Sequence, residues 1–171
     1  MKSIGLFGGS FDPIHFGHIG LAIDLLEKHK LDQVLFCPAF CSPFRIGDPP
    51  KAKAEDRLAM LKLALDLPQF GLLTLEIERG GISYTVDTLR ELRKQRGMAL
   101  FLLLSDEAFA RVHQWKESEE ILKMAKPLIA PREIKISSTQ IRERIRNGRY
   151  CNHLVPIKTL DYIHNHRLYS V

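Results

Sequence analysis

Apolar residues follow two alternating rhythms along this chain. Short apolar runs bounded by turn residues predict strands at Lys2–Phe7, Gln33–Cys37, Leu72–Ile77, Leu100–Leu104 and Pro127–Ala130. Between and after them, apolar positions recurring every third or fourth residue predict helices. These fall at His18–His29, Ala54–Leu65, Thr85–Gln95, Glu117–Ala125, Ser138–Asn147 and Pro156–Asn165. Leu58, Leu61 and Leu65 show the helical spacing within Ala54–Leu65. Ser138 and Thr139 are N-cap candidates for the fifth helix, and Gly148 is its stop. Strand–helix alternation predicts an α/β fold, a doubly wound parallel sheet with helices on both faces. With no repeat and no low-complexity tract, residues 1–171 read as one domain, and Lys135–Val171 as a helical C-terminal segment packed on the same sheet. The long connection Pro38–Lys53 carries Pro43, Pro49 and Pro50 with glycine and charges, so it reads as a mobile loop near the site.

The 171 residues suffice for a core of ordinary size, and 45% hydrophobic with 26% charged content excludes a disordered chain. No apolar run approaches the ~20 residues that span a bilayer, so no membrane partner is expected. Met1-Lys2-Ser3 leads straight into the first strand, which leaves no room for a signal peptide. Cys37, Cys41 and Cys151 are odd in number and lack paired metal-ligand spacing. A disulfide framework and a protein-held metal are therefore not expected, and a cytoplasmic location with reduced thiols is.

The net charge is +5 and the pI about 9.2. Much of the excess lies between Lys123 and Arg149, with Arg142, Arg144, Arg146 and Arg149 on or just past one predicted helix. A solvated helical face explains this as well as nucleic acid does. No stripe of aromatic and basic residues is present, so no nucleic-acid partner is expected.

The chemistry concentrates in one turn. Gly8-Gly9-Ser10-Phe11-Asp12-Pro13-Ile14-His15-Phe16-Gly17-His18 joins the first strand to the first helix. Such a turn aims unpaired backbone N–H groups and the positive end of the helix dipole at one point. Gly8 and Gly9 let a phosphate approach the backbone, and Ser10 adds a hydroxyl. His15 and His18 share a helical face and can both donate N–H bonds to phosphate oxygens. A second anion cradle is Ile136-Ser137-Ser138-Thr139-Gln140-Ile141-Arg142. There Ser138, Thr139 and first-turn N–H groups can hold phosphate oxygens, and Arg142, one turn on, can clamp them with a forked guanidinium. Taken alone, this second string fits a capped helix with an exposed arginine better.

The string GSFDPIHFGH resembles the nucleotidylyltransferase superfamily signature G-x-F-x-P-x-H-x-G-H, met by Gly9, Phe11, Pro13, His15, Gly17 and His18. ISSTQIR resembles the second signature of the same superfamily. The resemblance implies a Rossmann-like sheet and ATP as a substrate. It implies that both histidines contact the ATP phosphates, with His18 the main stabiliser of the transition state. It also implies that Ser138, Thr139 and Arg142 hold the β- and γ-phosphates. The segment Glu78-Arg79-Gly80-Gly81-Ile82-Ser83-Tyr84-Thr85-Val86-Asp87-Thr88-Leu89 resembles the bacterial nicotinate mononucleotide adenylyltransferase pattern E-x-x-R-x-G-x-S-Y-T-x-D-T-L, with local spacing shifts around the arginine. Leu104-Ser105-Asp106 followed by Trp115, Asp56-Arg57-Leu58-Ala59-Met60 and the closing Tyr162-Ile163 and Leu168-Tyr169 are similar to that family too.

That resemblance implies transfer of AMP from ATP to nicotinate mononucleotide, giving deamido-NAD and pyrophosphate, with Mg²⁺ carried on the ATP phosphates. It implies that Tyr84 and Thr85 receive the nicotinate carboxylate, that Trp115 stacks on the pyridine ring and that Asp106 contacts the mononucleotide. Asp106 also stands at the end of a predicted strand, where α/β sheets bind ligands. Three departures stand out. The family has P-P-H-K where this chain has Ser42-Pro43-Phe44-Arg45, so Arg45 replaces a lysine near phosphate and Phe44 replaces a histidine. Ser105 replaces a glycine. Pro131–Lys135 is shorter than the family's segment, which contributes to the adenine side. The other readings are a sister enzyme acting on nicotinamide mononucleotide or phosphopantetheine, or an inactive nucleotide-binding module.

Overall fold

The computed structural model describes residues 1–95, 97–131 and 135–170. Five parallel strands form one sheet: β1 (Lys2–Gly9), β2 (Gln33–Pro38), β3 (Phe70–Leu72), β4 (Met98–Ser105) and β5 (Lys126–Ala130). Their order is β3-β2-β1-β4-β5. The order reverses beside β1, and the crevice at the carboxyl ends of β1 and β4 is where such sheets bind ligands.

The strands are buried on both faces, which is why they read as nearly continuous apolar runs. Alternation along them divides two cores. Ile4 and Leu6 of β1 and Leu100, Leu102 and Leu104 of β4 face one side. There they meet Val86, Leu89 and Leu92 of α4 (Thr85–Arg93) and Ile121 and Met124 of α6 (Ser118–Met124). Phe7 and Leu103 face the other side. That core is completed by α1 (Phe16–Lys28), α2 (Ala54–Ala64), α7 (Ser138–Arg146) and α8 (Ile157–Asn165). The expected helical C-terminal segment thus packs onto the sheet through Ile141, Ile145, Leu160 and Ile163.

One predicted strand is corrected. Leu72–Ile77 is not a strand: β3 ends at Leu72, and Leu75–Arg79 forms a short helix, α3. The alternation of Leu73, Leu75 and Ile77 imitates a strand, but β2 offers β3 only three paired positions, ending at Phe36↔Leu72. Beyond them Glu76 is drawn into the interior, where the Thr88 hydroxyl donates to its Oε1 at 2.6 Å. The four-residue α5 (Asp106–Phe109) and the 3-10 turns at Pro43–Arg45 and Val112–Gln114 are too short to show a period in sequence.

The connection expected to be mobile is a strap fastened at both ends. Near its start, Phe40 N–H donates to Ser83 Oγ at 2.9 Å, and Ser83 N–H donates to the Cys41 carbonyl at 2.8 Å. Near its end, the Lys51 and Ala52 N–H groups donate to the Asp12 carboxylate at 2.7 and 3.0 Å. No helix among the described residues is long and apolar enough to cross a membrane.

Candidate functional site

A cleft of about 420 Å³ opens over the carboxyl ends of β1 and β4, and both motifs face it. Gly8 and Gly9 end β1, and a Cβ built on Gly8 would meet no atom within 4 Å, because that direction is the open cleft. Ser10 lines the cleft. Phe11 turns through φ 47° and drives its ring inward to 1% exposure, against Phe7, Phe36 and His18. Its side chain is thus a wedge that shapes the turn, and only its backbone is available to a phosphate.

His15 is the N-cap of α1, with a buried ring. The His18 backbone N–H is shared between the His15 carbonyl at 2.9 Å and the His15 Nδ1 at 3.3 Å. A backbone amide can only donate, so His15 Nδ1 carries a lone pair and a neutral ring keeps its proton on Nε2. The His18 ring stacks on His15 with centroids 3.6 Å apart and planes 21° apart. Two imidazolium rings at that separation repel strongly.

The second motif is built against the first. Arg142, 8% exposed, donates from Nη1 to the Asp12 carbonyl at 2.7 Å and from Nη2 to Thr139 Oγ1 at 3.2 Å. Ser138 Oγ donates to the Pro13 carbonyl at 2.9 Å. The N-cap of α7 is therefore not Ser138 or Thr139 but Ser137, whose Oγ accepts the Gln140 N–H at 3.1 Å. Ser138 is taken up in tying the helix start to the GSFDP turn. Ser137, Ser138, Thr139 and Arg142 all line the cleft. Arg45 lines it as well, on the strap, 3.8 Å from Asp48 Oδ2, and Phe44 beside it is exposed.

Tyr84 and Thr85, at the start of α4, also line the cleft, together with Trp115, Leu102 and Leu104. Lys116 Nζ lies 4.4 Å from the centroid of the Tyr84 ring. The cleft thus brings hydroxyls, imidazoles and a guanidinium together with the Tyr84 and Trp115 side chains.

Known proteins resemble this chain over most of its length. The model of the cytidylyltransferase-like family matches residues 6–144. An Aquifex aeolicus protein named "Probable nicotinate-nucleotide adenylyltransferase" is 48% identical over 130 residues, covering 75% of this chain and 76% of that one. A Thermus thermophilus protein of the same name is 41% identical over 187 residues, covering 97% of this chain and 98% of that one. The chain belongs to the cytidylyltransferase-like family. The fold agrees: a Plasmodium falciparum nicotinic acid mononucleotide adenylyltransferase, solved in complex with NaAD, superposes with a TM-score of 0.78 at 18% identity. The match covers 99% of this chain and 98% of that one.

Four residues that hold the site together are given no role by the sequence motifs. Asp12 is 4% exposed and joins four parts of the chain. Besides Lys51 and Ala52 its carboxylate accepts the Tyr169 hydroxyl at 2.7 Å, and Arg142 Nη1 stands 3.8 Å away. Burial and then the Asp12 charge push the Tyr169 phenol far above its ordinary range, so it stays a donor. Arg57 is 2% exposed and donates to the carbonyls of Ser10 (2.9 Å), Ala39 (2.6 Å) and Phe40 (3.2 Å). Burial lowers its pKa, with Asp12 the largest charge opposing that shift. It ties the turn after β1 to the chain just past β2.

Glu76 is the fourth. Counted from Glu76 rather than Glu78, E-x-x-R-x-G-x-S-Y-T-x-D-T-L is met without any shift, through Arg79, Gly81, Ser83, Tyr84, Thr85, Asp87, Thr88 and Leu89. Arg79 Nη2 donates to Thr88 Oγ1 at 3.4 Å, so three functional groups of the pattern are linked in one chain of hydrogen bonds. Asp106 stands apart. It lines a neighbouring hollow with Lys135 and Ser137 rather than the main cleft, and its Oδ1 accepts the Glu107 N–H at 2.9 Å. Ser105, which replaces the family glycine, caps α5 by accepting the Ala108 N–H at 3.1 Å. The shortened segment before ISSTQIR includes residues 132–134, which lie outside the described residues.

Proposed function

We propose that this chain transfers the AMP moiety of ATP to nicotinate mononucleotide, giving deamido-NAD (nicotinate adenine dinucleotide) and pyrophosphate, a step of NAD biosynthesis. The observation that carries this reading is the pair of anion cradles, bonded to each other through Arg142–Asp12 and Ser138–Pro13, that faces one cleft with the Tyr84–Thr85–Trp115 pocket. The names of the relatives support it.

In this reading a 5′-phosphate oxygen of the mononucleotide attacks the α-phosphorus of ATP in line with the departing pyrophosphate. One P–O bond forms, and the bond from the α-phosphorus to the bridging oxygen breaks with its electron pair leaving on pyrophosphate. The attacking phosphate has a second pKa near ~6 and is ionised at neutral pH, so no general base is needed. What the chain supplies is position and positive charge. His15 donates from Nε2 to a phosphate oxygen, and His18 meets the charge that builds at the α-phosphate. Gly8, Gly9, Ser10 and the Phe11 backbone line the path of the phosphates. Thr139, Arg142 and the capped start of α7 hold the leaving pyrophosphate, with Ser138 fixing that helix start and Arg45 adding charge from the strap.

The family's Mg²⁺ would bind phosphate oxygens and offset their charge. Among the described residues no group of three or more His, Cys, Asp or Glu could hold a metal. Asp12 is engaged by Lys51, Ala52 and Tyr169, so Mg²⁺ fits here as a passenger on ATP. At the other end, the N–H groups opening α4 and the Thr85 hydroxyl receive the nicotinate carboxylate, and Trp115 stacks on the ring. The hollow bearing Asp106 adjoins the cleft through Ser137 and suits the nucleoside part of ATP better than the mononucleotide.

The test is pyrophosphate release from ATP with nicotinate mononucleotide, nicotinamide mononucleotide or phosphopantetheine as acceptor. Turnover with the first, and at least ~10-fold lower kcat/KM with the others, is the expected result. Preferred use of either other acceptor would overturn it.

A further inference from the structure

Two acidic side chains line the cleft among the described residues, and only one is accounted for. Asp12 is committed to the strap, to Tyr169 and to Arg142. Glu76, 6% exposed, lines the same cleft as Tyr84, Thr85 and Trp115. Its partners are neutral: Oε1 accepts the Thr88 hydroxyl, the Cys37 thiol also hydrogen-bonds to the Glu76 side chain, and Arg79 reaches it through the Thr88 hydroxyl rather than by a direct pair. Cys37 beside it adds no charge, because burial and then the Glu76 carboxylate push its thiol far above its ordinary range. A carboxylate buried in this way is costly unless a cation meets it.

The acceptor proposed above supplies that cation. A pyridine bonded to ribose through its nitrogen carries a formal positive charge spread over the ring. Aromatic side chains and a carboxylate lining the same cleft suit such a ring. We propose that Glu76 is the counter-ion of the acceptor's pyridinium ring, a specificity-determining residue that selects N-ribosylated pyridinium mononucleotides over acceptors with an uncharged ring. This rests on the reading of the acceptor as nicotinate mononucleotide. It divides recognition between two charges, the ring cation at Glu76 and the carboxylate at the start of α4.

The experiment measures binding by calorimetry, independently of turnover. Its probes are nicotinate mononucleotide and the ribonucleotide of benzoate, which keeps the carboxylate, ribose and phosphate but has an uncharged ring. Wild-type protein is expected to bind the charged ring at least ~10-fold more tightly. Glu76→Gln keeps the size and an acceptor for Thr88. It is expected to bind nicotinate mononucleotide ~10-fold more weakly, to bind the benzoate compound as the wild type does, and to leave the KM for ATP unchanged. Equal wild-type affinity for the two rings overturns the proposal. So does a Glu76→Gln variant that loses affinity for both alike, since that is a structural effect. Should Glu76→Gln not fold, Glu76→Met, of similar size and uncharged, takes its place in the same comparison with the same expected and overturning results. A wild type that binds both compounds but forms no dinucleotide would sink the proposed function and leave the ring comparison standing.

Discussion

His15 and His18 sit three residues apart on one turn and cannot do the same work. The His15 ring is fixed by the cap it makes for α1, which takes its Nδ1 lone pair and leaves Nε2–H as the group to present. His18 makes no such cap, and its ring stacks on His15 and lines the cleft. Nitrogen NMR on uniformly labelled protein at neutral pH is expected to show His15 as the Nε2–H tautomer. A protonated Nδ1 there would remove the division of roles. His18→Ala is expected to lower kcat by ~100-fold or more, the scale of losing one preorganised stabiliser, with little change in Tm. Near-wild-type turnover in that variant would deny the role. Both histidines are legible in the sequence because their signature is a continuous string. The roles of Asp12 and Arg57 are not. Asp12 looks like a variable position within the string, and its partners lie up to 157 positions away, at Tyr169. Arg57 looks like a charge on an amphipathic helix, and only the fold brings three carbonyls to it.

At the scale of elements, the long periodic segments match their expected spans to within about two residues at most ends, because burial of one or two faces writes its period into the chain. The errors fall where an element is short or where a side chain is diverted. Alternating leucines suggest a strand through Ile77, but β2 runs out of partners and Glu76 turns the chain into α3. The start of α7 reads as Ser138 or Thr139 because three successive hydroxyl residues all suit a cap. Only the position of the GSFDP turn frees Ser137 for it and occupies Ser138. The far end is unambiguous. Gly148 takes φ 62° and donates to the Ile145 carbonyl at 3.0 Å, while Arg149 donates to Arg144 at 2.8 Å, which closes the helix. Ser137→Ala is expected to cost about 1 kcal/mol, a fall of roughly 2–4 °C in Tm. The same change is expected to raise the KM for ATP more than that for the mononucleotide, because the frayed turn belongs to the phosphate cradle. Equal effects on both substrates would place α7 outside it.

For the whole molecule, the site is assembled from chain segments far apart in sequence that meet at Asp12. The strap, the C-terminal segment and α7 converge there through Lys51, Ala52, Tyr169 and Arg142, so the cleft-lining motifs and the outer shell of the fold share one buried carboxylate. Ligand binding and global stability should therefore be coupled beyond simple mass action. ATP at ~100 times its Kd contributes about 2.7 kcal/mol to a protein that binds it only when folded, roughly 5–10 °C in Tm here. Tyr169→Phe removes one hydroxyl from a charged acceptor at a cost of about 1.5–3 kcal/mol. If Tyr169 only fastens the C-terminal segment, the variant melts lower yet gains the same increment from ATP. If the hub transmits order to the cradle, ATP binds the variant more weakly, and the increment at a fixed ATP concentration shrinks. The second outcome is expected, because Asp12 Oδ1 is shared by Tyr169 and Ala52 while its Oδ2 faces Arg142. Thermal shifts of wild type and Tyr169→Phe across an ATP titration decide between them, and parallel curves would confine Tyr169 to fastening the C-terminal segment.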